Sequence, residues 1–346
     1  MTQYIVLTLT VICMFLGLCC KDNGISPIQD TPGRRDYTWF VETIYAGGNI
    51  INGIDGASPT DVWAVSIPGD FSQTFYHFNG AKWSTDSINR SISPFSVRAF
   101  TSNDVWSVGL QGDIWHYNGT SWSQHTKIPP PNTNYYTLED VDGNSSTDLY
   151  TVGNLSYSGS DLHPLIYHLS GNSWSQINIQ DVPFCTIFKI RFYAPRKSLV
   201  IGLKHLPDGS SPDSSKIFSF DGSNLNEIYS AQDNQDGLAD IARVTDGIIV
   251  SKGRRLVLFN GTQEQDITTI QSALFGSVVE ARSIKDIFLG MNDGIAHYNG
   301  SDIQYLFKFS STHVGGIGIK LFANSAFIVT YFRDQNMNVV YRGYLM

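Results

Sequence analysis

The chain has 346 residues and a formal net charge of −8, and only 16% of its residues are charged. Lys and Arg number 23 against 31 Asp and Glu, which argues against a basic nucleic-acid-binding surface. With 42% hydrophobic residues, 13% aromatic residues and four cysteines, the composition excludes a disordered chain and a disulfide-stapled scaffold, and it favours a β-rich globular protein.

The first residues have the pattern of a targeting segment. Residues 5–18 are almost wholly apolar, too few for a comfortable membrane span but enough for the core of a secretory signal. The cysteines that follow make this segment similar to a bacterial lipoprotein signal, in which a cysteine becomes the lipidated first residue. We expect lipidation at Cys20, with Cys19 as the alternative. A plain secretory signal with incidental cysteines is the competing interpretation.

A polar segment separates this signal from the rest of the chain. Residues 20–36 contain Pro27, Pro32 and Gly33 and are expected to form a flexible tether. We therefore divide the chain into a signal peptide at 1–19, a tether at 20–36 and a folded domain at 37–346. No stretch after the signal is long and apolar enough to span a bilayer.

The folded domain repeats a short pattern seven times. Each unit has an apolar, aromatic stretch that ends in a turn glycine, and these glycines are 39 to 52 residues apart, at Gly80, Gly119, Gly171, Gly222, Gly261, Gly300 and Gly343. Alternating apolar and polar residues indicate strands, and Asn-Gly or Asp-Gly pairs indicate tight hairpins. In the second unit the four predicted strands, A to D, are 96–101, 104–109, 113–117 and 121–126. Four-stranded antiparallel sheets at this period predict an all-β, seven-bladed β-propeller.

The two ends of the domain are complementary. The seventh unit ends just past its strand C and lacks a strand D. Residues 37–44 precede the first strand A and match the strand D pattern, because Trp39 and Ile44 are spaced as Trp83 and Ile88 are. We expect this N-terminal strand to complete the last blade and thereby remove an exposed sheet edge.

These motifs resemble a known class of proteins. The run Asp104-Val-Trp-Ser-Val-Gly, followed by Asp113-Ile-Trp-His-Tyr-Asn-Gly119, resembles bacterial extracellular β-propeller proteins with kelch-like or WD-repeat-like blades. The segment Thr31-Pro-Gly-Arg-Arg-Asp-Tyr-Thr-Trp39 resembles lipoproteins of the Bacteroidetes–Chlorobi type. Some of these proteins carry a glucosyltransferase label. The resemblance implies a propeller fold and a cell-envelope location, and it implies little about function because propellers host many activities.

Strand A of each unit is expected to line the propeller axis, and it carries charge. Six units place a charged residue after a β-branched one, with alternating sign, at Asp55, Arg98, Asp142, Arg191, Glu280 and Lys320. The fifth unit offers either Asp240 or Ala242. Alternation favours ion pairs between neighbouring blades over capture of a charged ligand, which like-sign clustering would serve better.

The loops give a second candidate surface. The B–C connections at 67–74, 154–164 and 204–216 are long, and in a propeller they share one face with the D–A loops. Extended loops on one face often mark a binding side. The candidate binding-face residues are Tyr157, His163, His205, Asp208, Asp213, Asp233 and Asp236. Tolerated surface insertions are the alternative explanation.

The sequence lacks the common motifs for catalysis. There is no nucleophile elbow, zinc-binding helix motif or phosphate loop, so we nominate no catalytic residue and expect no metal or cofactor. His77, His116, His168 and His297 recur at one repeat position and are expected to be structural. The sequence favours a lipid-anchored, monomeric, non-catalytic module that binds a protein or glycan but not nucleic acid. We expect it on the bacterial outer membrane, facing the periplasm or the cell surface, or else secreted. A glycan-active enzyme with carboxylates near the axis is the alternative function.

Overall fold

The computed structural model describes residues 32–44, 48–67, 70–128, 133, 135–157, 161–206, 212–232, 239–311 and 313–346. Every regular element in these ranges is a β-strand, from β1 to β28. The strands form seven four-stranded antiparallel sheets in a ring, which confirms the predicted seven-bladed β-propeller. The signal peptide, Cys19, Cys20 and tether residues 20–31 lie outside the described residues.

Blades 1 to 6 take four consecutive strands each, named A to D from the axis outwards. The first three blades contain β2 (Ile50–Ser58), β3 (Asp61–Ile67), β4 (Phe75–Phe78) and β5 (Trp83–Ser84); β6 (Pro94–Thr101), β7 (Asp104–Gly109), β8 (Asp113–Tyr117) and β9 (Trp122–Lys127); and β10 (Tyr135–Ser145), β11 (Asp148–Ser156), β12 (Leu162–Ser170) and β13 (Ser173–Gln176). The next three contain β14 (Cys185–Ala194), β15 (Lys197–His205), β16 (Pro212–Phe220) and β17 (Leu225–Gln232); β18 (Asp240–Val244), β19 (Gly247–Lys252), β20 (Arg255–Phe259) and β21 (Glu264–Thr269); and β22 (Phe275–Ser283), β23 (Asp286–Met291), β24 (Gly294–Tyr298) and β25 (Ile303–Lys308).

The seventh blade joins the two ends of the chain. It consists of β26 (Val314–Phe322), β27 (Ser325–Phe332), β28 (Met337–Leu345) and, as its strand D, β1 (Tyr37–Ile44). Trp39 lies opposite Gly343 in this antiparallel pair. A Cβ on Gly343 would come within 2.7 Å of the Trp39 ring, so glycine is required for this close approach. The predicted closure by the N-terminal strand is confirmed.

The ring has two different ends. The A–B and C–D connections lie at one end, here called the turn end, and the B–C and D–A connections lie at the other, here called the loop end. The C–D hairpins are tight, and glycines such as Gly80 and Gly119 adopt φ values of 90° and 92° there. These are the positive φ angles that the Asn-Gly pattern predicts.

The chain enters the ring at the turn end. The backbone N–H of Gly33 donates to the carbonyls of Lys285 (2.9 Å) and Asn299 (3.1 Å) in the turns of blade 6. The Arg35 guanidinium contacts the Asp302 carboxylate at 2.7 Å and the His297 carbonyl at 2.9 Å. The last residues of the expected tether therefore hydrogen-bond to the turn end of the propeller.

The repeated histidines join two neighbouring strands within each of four blades. In blade 2, Asp104 at the start of strand B pairs with His116 Nε2 at 2.8 Å, and the imidazole stacks on Trp106 with 4.3 Å between ring centroids. The same Asp–His pair occurs in blades 1, 3 and 6, at Asp61–His77, Asp148–His168 and Asp286–His297. This contact joins strands B and C at the turn end of each blade.

Candidate functional site on the propeller axis

The predicted axis charges lie in one layer of the ring. Each sits in strand A opposite the third residue of its strand B, as Asp55 is opposite Trp63 and Glu280 is opposite Phe288. In blade 5 this register position is held by Ala242, opposite Ile249. Asp240 lies two residues earlier, in a second layer nearer the loop end, at the same register as Asp140 and Lys189.

The first layer is tied together by ion pairs between blades. Arg98 reaches the carboxylates of Asp55 (3.1 Å) and Asp142 (3.2 Å), on either side of its own blade. Lys320 pairs with Asp55, which links blade 7 to blade 1. Blade 5 has the uncharged Ala242 at the register position of the axis charges. Its neighbour Arg243 reaches Asp142 of blade 3 and connects blade 5 to the network.

The second layer continues this network. Arg191 of the first layer pairs with Asp140 of the second at 2.5 Å, and within the second layer Lys189 pairs with Asp240 at 2.6 Å. The carboxylates also accept backbone N–H groups from the next blade, as Asp240 does from Val279 at 2.8 Å. These contacts specify how consecutive blades are aligned, which is the role that the alternating charges favoured.

The acid of one such pair is held ionised. Burial by itself would raise the pKa of Asp55, but the charges of Lys320 and Arg98 outweigh burial and hold that pKa well below its usual range. In the same way, burial opposes the charge of Arg191, while Asp140 and Asp142 raise its pKa. Asp55 and Arg191 therefore keep their charges across the physiological pH range.

Open space remains along the axis above and within these layers. A cavity of about 250 Å³ is bounded by the first layer. A second cavity of about 440 Å³, here called the upper axial cavity, lies nearer the loop end. Asp140, Arg191 and Glu280 line both cavities.

Irregularities in strand A shape the upper axial cavity. The antiparallel register shifts by one residue in blades 1 to 4, and the extra residues are Asn52, Phe95, Glu139 and Phe188. All four line the cavity. A β-bulge changes the direction of a side chain, so these bulges bring an amide, two phenyl rings and a carboxyl to the axis. The sequence does not identify these residues, because a bulge leaves no clear mark in an alternating pattern.

Two glutamates of this cavity differ from the paired carboxylates. Glu280 makes no hydrogen bond or ion pair within the described part of the chain. Burial raises the pKa of Glu280, against the opposing charges of Lys189, Arg191 and Lys320, and nearby Asp240 raises it further. Burial also raises the pKa of Glu139, whose carboxylate accepts a hydrogen bond from Thr137 Oγ1 at 2.6 Å. The cavity thus contains two acids that no cation neutralises directly.

The candidate loop residues are dispersed over the loop end. Tyr157 is 54% exposed, and its ring contacts that of His163 edge-on at 5.6 Å between centroids. His163 pairs with Asp181 at 2.7 Å, and His205 contacts Thr186 Oγ1 at 3.1 Å. Asp208, Asp233 and Asp236 lie outside the described residues.

Several of these residues lie in strands instead of loops. The blade-3 hairpin keeps pairing as far as Ser156 and Leu162, which places His163 in β12. In blade 4 the strands extend to His205 and from Pro212, so His205 and Asp213 belong to β15 and β16. The expected long loops are therefore partly extensions of the sheet, because ladder hydrogen bonds continue beyond the ends seen in other blades.

Exposed apolar side chains are concentrated at the loop end. Of the 12 large hydrophobic residues exposed in the described ranges, seven lie there: Ile67, Phe71, Ile88, Tyr135, Tyr157, Leu206 and Leu274. Four more lie on outer strands, at Phe40, Val41, Ile228 and Tyr305. Met346 is the remaining one, at the turn end. The seven at the loop end lie in or beside six different connections around the ring, so this end offers apolar contacts to a partner large enough to span several blades.

The described part of the chain has neither a metal-binding cluster nor a membrane-spanning helix. Among the described residues, no group of three or more His, Cys, Asp or Glu side chains has the arrangement to hold a metal ion. Within the same ranges, no helix has the length and apolarity needed to cross a membrane.

Solved structures of other proteins resemble this one in fold. Virginiamycin B lyase from Staphylococcus aureus matches with a TM-score of 0.62 at 8% identity, over 89% of this chain and 100% of the lyase chain. YCF48 bound to D1 peptide matches with a TM-score of 0.56 at 14% identity, over 91% of this chain and 99% of the other. The extracellular domain of the putative one-component system BT4673 from B. thetaiotaomicron matches with a TM-score of 0.54 at 11% identity, over 88% of this chain and 40% of the other.

At these identities the likeness shows the propeller fold. Neither a protein-family model nor a curated protein matches the sequence. The propeller part of the sequence resemblance is confirmed, while the lipoprotein type and the bacterial group stay predictions.

Proposed function

We propose that the protein is a lipid-anchored propeller of the bacterial cell envelope, which binds a protein partner at its loop end without catalysing a reaction. The observation that supports this proposal most directly is the concentration of exposed apolar residues at that end. The turn end, by comparison, exposes one large hydrophobic side chain among the described residues, Met346.

A protein fits this surface better than a glycan does. The exposed set mixes aliphatic residues, such as Ile88, Leu206 and Leu274, with the tyrosines Tyr135 and Tyr157. Aliphatic and aromatic groups together are typical of the central part of a protein–protein interface. A fold relative, YCF48, has been solved with D1 peptide bound, so the fold is compatible with peptide binding.

The described entry of the chain into the ring is compatible with a partner at the loop end. Gly33 and Arg35 hydrogen-bond to the turns of blade 6, at the turn end. Residues 32–36 therefore leave the loop end uncovered, where a partner can reach it.

Site-specific photo-crosslinking in living cells tests this proposal. A photoreactive amino acid placed at Tyr157 or Leu206 in the full-length chain is expected to give a discrete protein adduct. The matched control is Val41, which is 62% exposed on the outer strand of blade 7 and is expected to give none. A Tyr157→Ala and Leu206→Ala double variant is expected to lose an adduct formed from Ile88, while its folding free energy changes by no more than about 1 kcal/mol. Equal crosslinking from Val41, or adducts that survive the double variant, would contradict the proposal.

A glycan-active enzyme is the second candidate, and one observation favours it. Glu139 and Glu280 have raised pKa values inside a cavity that also contains the ion-paired Asp140. An acid with a raised pKa close to an ionised carboxylate is an arrangement that glycosidases use. Release of reducing sugar from a glycan panel, abolished by Glu139→Gln, would replace the binding proposal with this one.

A further inference from the structure

The upper axial cavity has an unbalanced set of charged groups. Every cation on the axis is already engaged, because Arg98, Lys189, Arg191, Arg243 and Lys320 each contact an aspartate. The aspartates Asp55, Asp140, Asp142 and Asp240 are the partners in these pairs. Glu139 and Glu280 face the same cavity without a direct cationic partner.

The surroundings of these glutamates include aromatic rings. Phe95 and Phe188 occupy the bulge positions of blades 2 and 4, on either side of Glu139 in blade 3. Both rings are half-buried and line the cavity. Phenyl faces attract cations, and carboxylates form charge-assisted hydrogen bonds with ammonium groups. The aliphatic side chains of Ile54 and Ile317 complete an apolar part of the wall.

We propose that the upper axial cavity binds an alkylammonium group, supplied by a lysine side chain of the protein that docks at the loop end. The ammonium pairs with Glu280, Glu139 adds a second negative charge to the same cavity, and the aliphatic part of the side chain packs against Phe95 and Phe188. This inference rests on the proposed function, since it names the group that the docked partner inserts into the axis.

Other ligand classes fit this cavity less well. An anion would have to displace an aspartate from an existing ion pair, because no cation of the described axis is without a partner. A metal ion lacks a suitable group of three ligands among the described residues. A cavity of about 440 Å³ is within the range of small-ligand sites, so a single side chain has room to enter.

Binding of this cation depends on pH. Glu280 faces Lys189 and Arg191 of β14, Lys320 of β26 and Asp240 of β18. The raised pKa of Glu280 means that its carboxylate takes up a proton at a higher pH than an ordinary glutamate does. Affinity for an ammonium is therefore expected to decrease as the pH falls, and to do so at a higher pH than for a site built on an ordinary glutamate.

An NMR titration of the full-length protein in detergent micelles tests this inference. The probe is Nα-acetyl-lysinamide, and Nα-acetyl-norleucinamide is the matched compound without the ammonium. We expect saturable shifts with the lysine compound, centred on cavity residues such as Gly53 and Gly318, and affinity at least tenfold weaker for the norleucine compound.

Matched variants assign the effect to the glutamates. Glu280→Gln is expected to weaken binding of the lysine compound about tenfold, and Glu139→Gln is expected to weaken it several-fold. Asp246→Asn changes an exposed acid at the turn end and is expected to leave affinity unchanged. The inference is overturned if the lysine compound does not saturate, if the norleucine compound binds equally well, or if neither glutamate variant weakens binding in a protein whose spectrum stays folded. Because the crosslinking at Leu206 and Tyr157 does not depend on the cavity, its outcome separates failure of this inference from failure of the proposed function.

Discussion

The turn end and the loop end of the propeller are built from the same strands but differ in how regularly their side chains are paired. At the turn end, polar groups have repeated partners, such as the Asp–His pairs and the hydrogen bonds of Gly33 and Arg35. At the loop end, the strands carry bulges, the connections differ in length, and apolar side chains remain exposed. The repeat therefore builds the scaffold, and departures from the repeat mark the surface that is open to a partner.

Two acids on the axis, Asp142 and Glu280, also differ in whether they have partners. Asp142 is 2% exposed, forms ion pairs with the guanidinium groups of Arg98 and Arg243, and accepts a hydrogen bond from the N–H of Phe192 at 3.2 Å. Glu280 occupies the equivalent register position in blade 6 and has no such partner. Two acids at one repeat position thus have opposite roles, one holding blades together and one remaining available to a ligand.

The largest effect is expected from Asp142→Ala. This change leaves Arg98 and Arg243 without a shared carboxylate in a buried site, so it should lower the free energy of unfolding by about 3–5 kcal/mol. Urea denaturation followed by tryptophan fluorescence measures the loss, with Asp246→Asn as the exposed control. A loss below about 1 kcal/mol would show that the axial pairs do not stabilise the ring.

A smaller loss is expected from Trp39→Ala in the strand that closes the ring. Trp39 packs edge-on against Phe307 with 4.7 Å between centroids, and it covers Gly343. Because Trp39 is only half-buried, we expect a cost of about 2 kcal/mol, below that of a fully buried tryptophan. Phe40→Ala changes the next, exposed residue and should cost much less. If both variants have equal stability, the pairing of β1 with β28 does not limit unfolding.

The smallest effect is expected from Glu280→Gln, which should increase stability instead of lowering it. The pKa of Glu280 is higher in the folded than in the unfolded protein, so folding favours the protonated acid, and stability decreases as the pH rises through the folded pKa. Gln cannot ionise, so the Glu280→Gln variant should be more stable than the parent protein at pH 7.5.

The pH dependence provides the check on this prediction. Below about pH 4 an ordinary glutamate is protonated in both states, so the gain from Glu280→Gln should disappear there. Thermal melts at pH 7.5 and pH 3.8 measure the difference. A gain of equal size at both pH values would mean that packing, and not the charge of Glu280, accounts for it.

The sequence predicted the architecture well because its signals are local. The strands of blade 2 were predicted to within two residues at each end, since alternation and the Asn118-Gly119 turn specify them directly. Closure by residues 37–44 followed from counting strands. The sequence also identified the charged register position, and it left blade 5 open between Asp240 and Ala242 because the pairing of β18 with β19 decides that question.

The upper axial cavity could not be predicted in the same way. Phe95, Glu139 and Phe188 face the axis only because each is the extra residue of a bulge, and alternation alone assigns such a residue to the wrong side of the strand. Arg243 is a second example, since it reaches an aspartate about a hundred residues earlier in the chain.

By itself, the sequence determined the number of blades, the order of their strands, the closing strand and the presence of alternating charge on the axis. These features depend on spacing and on turn residues, which act between near neighbours in the chain. Only the tertiary structure decided which acids are paired, which glutamates stay available and where apolar residues gather. Those properties depend on distances between blades, and residues that are far apart in the chain come together only when the ring is complete.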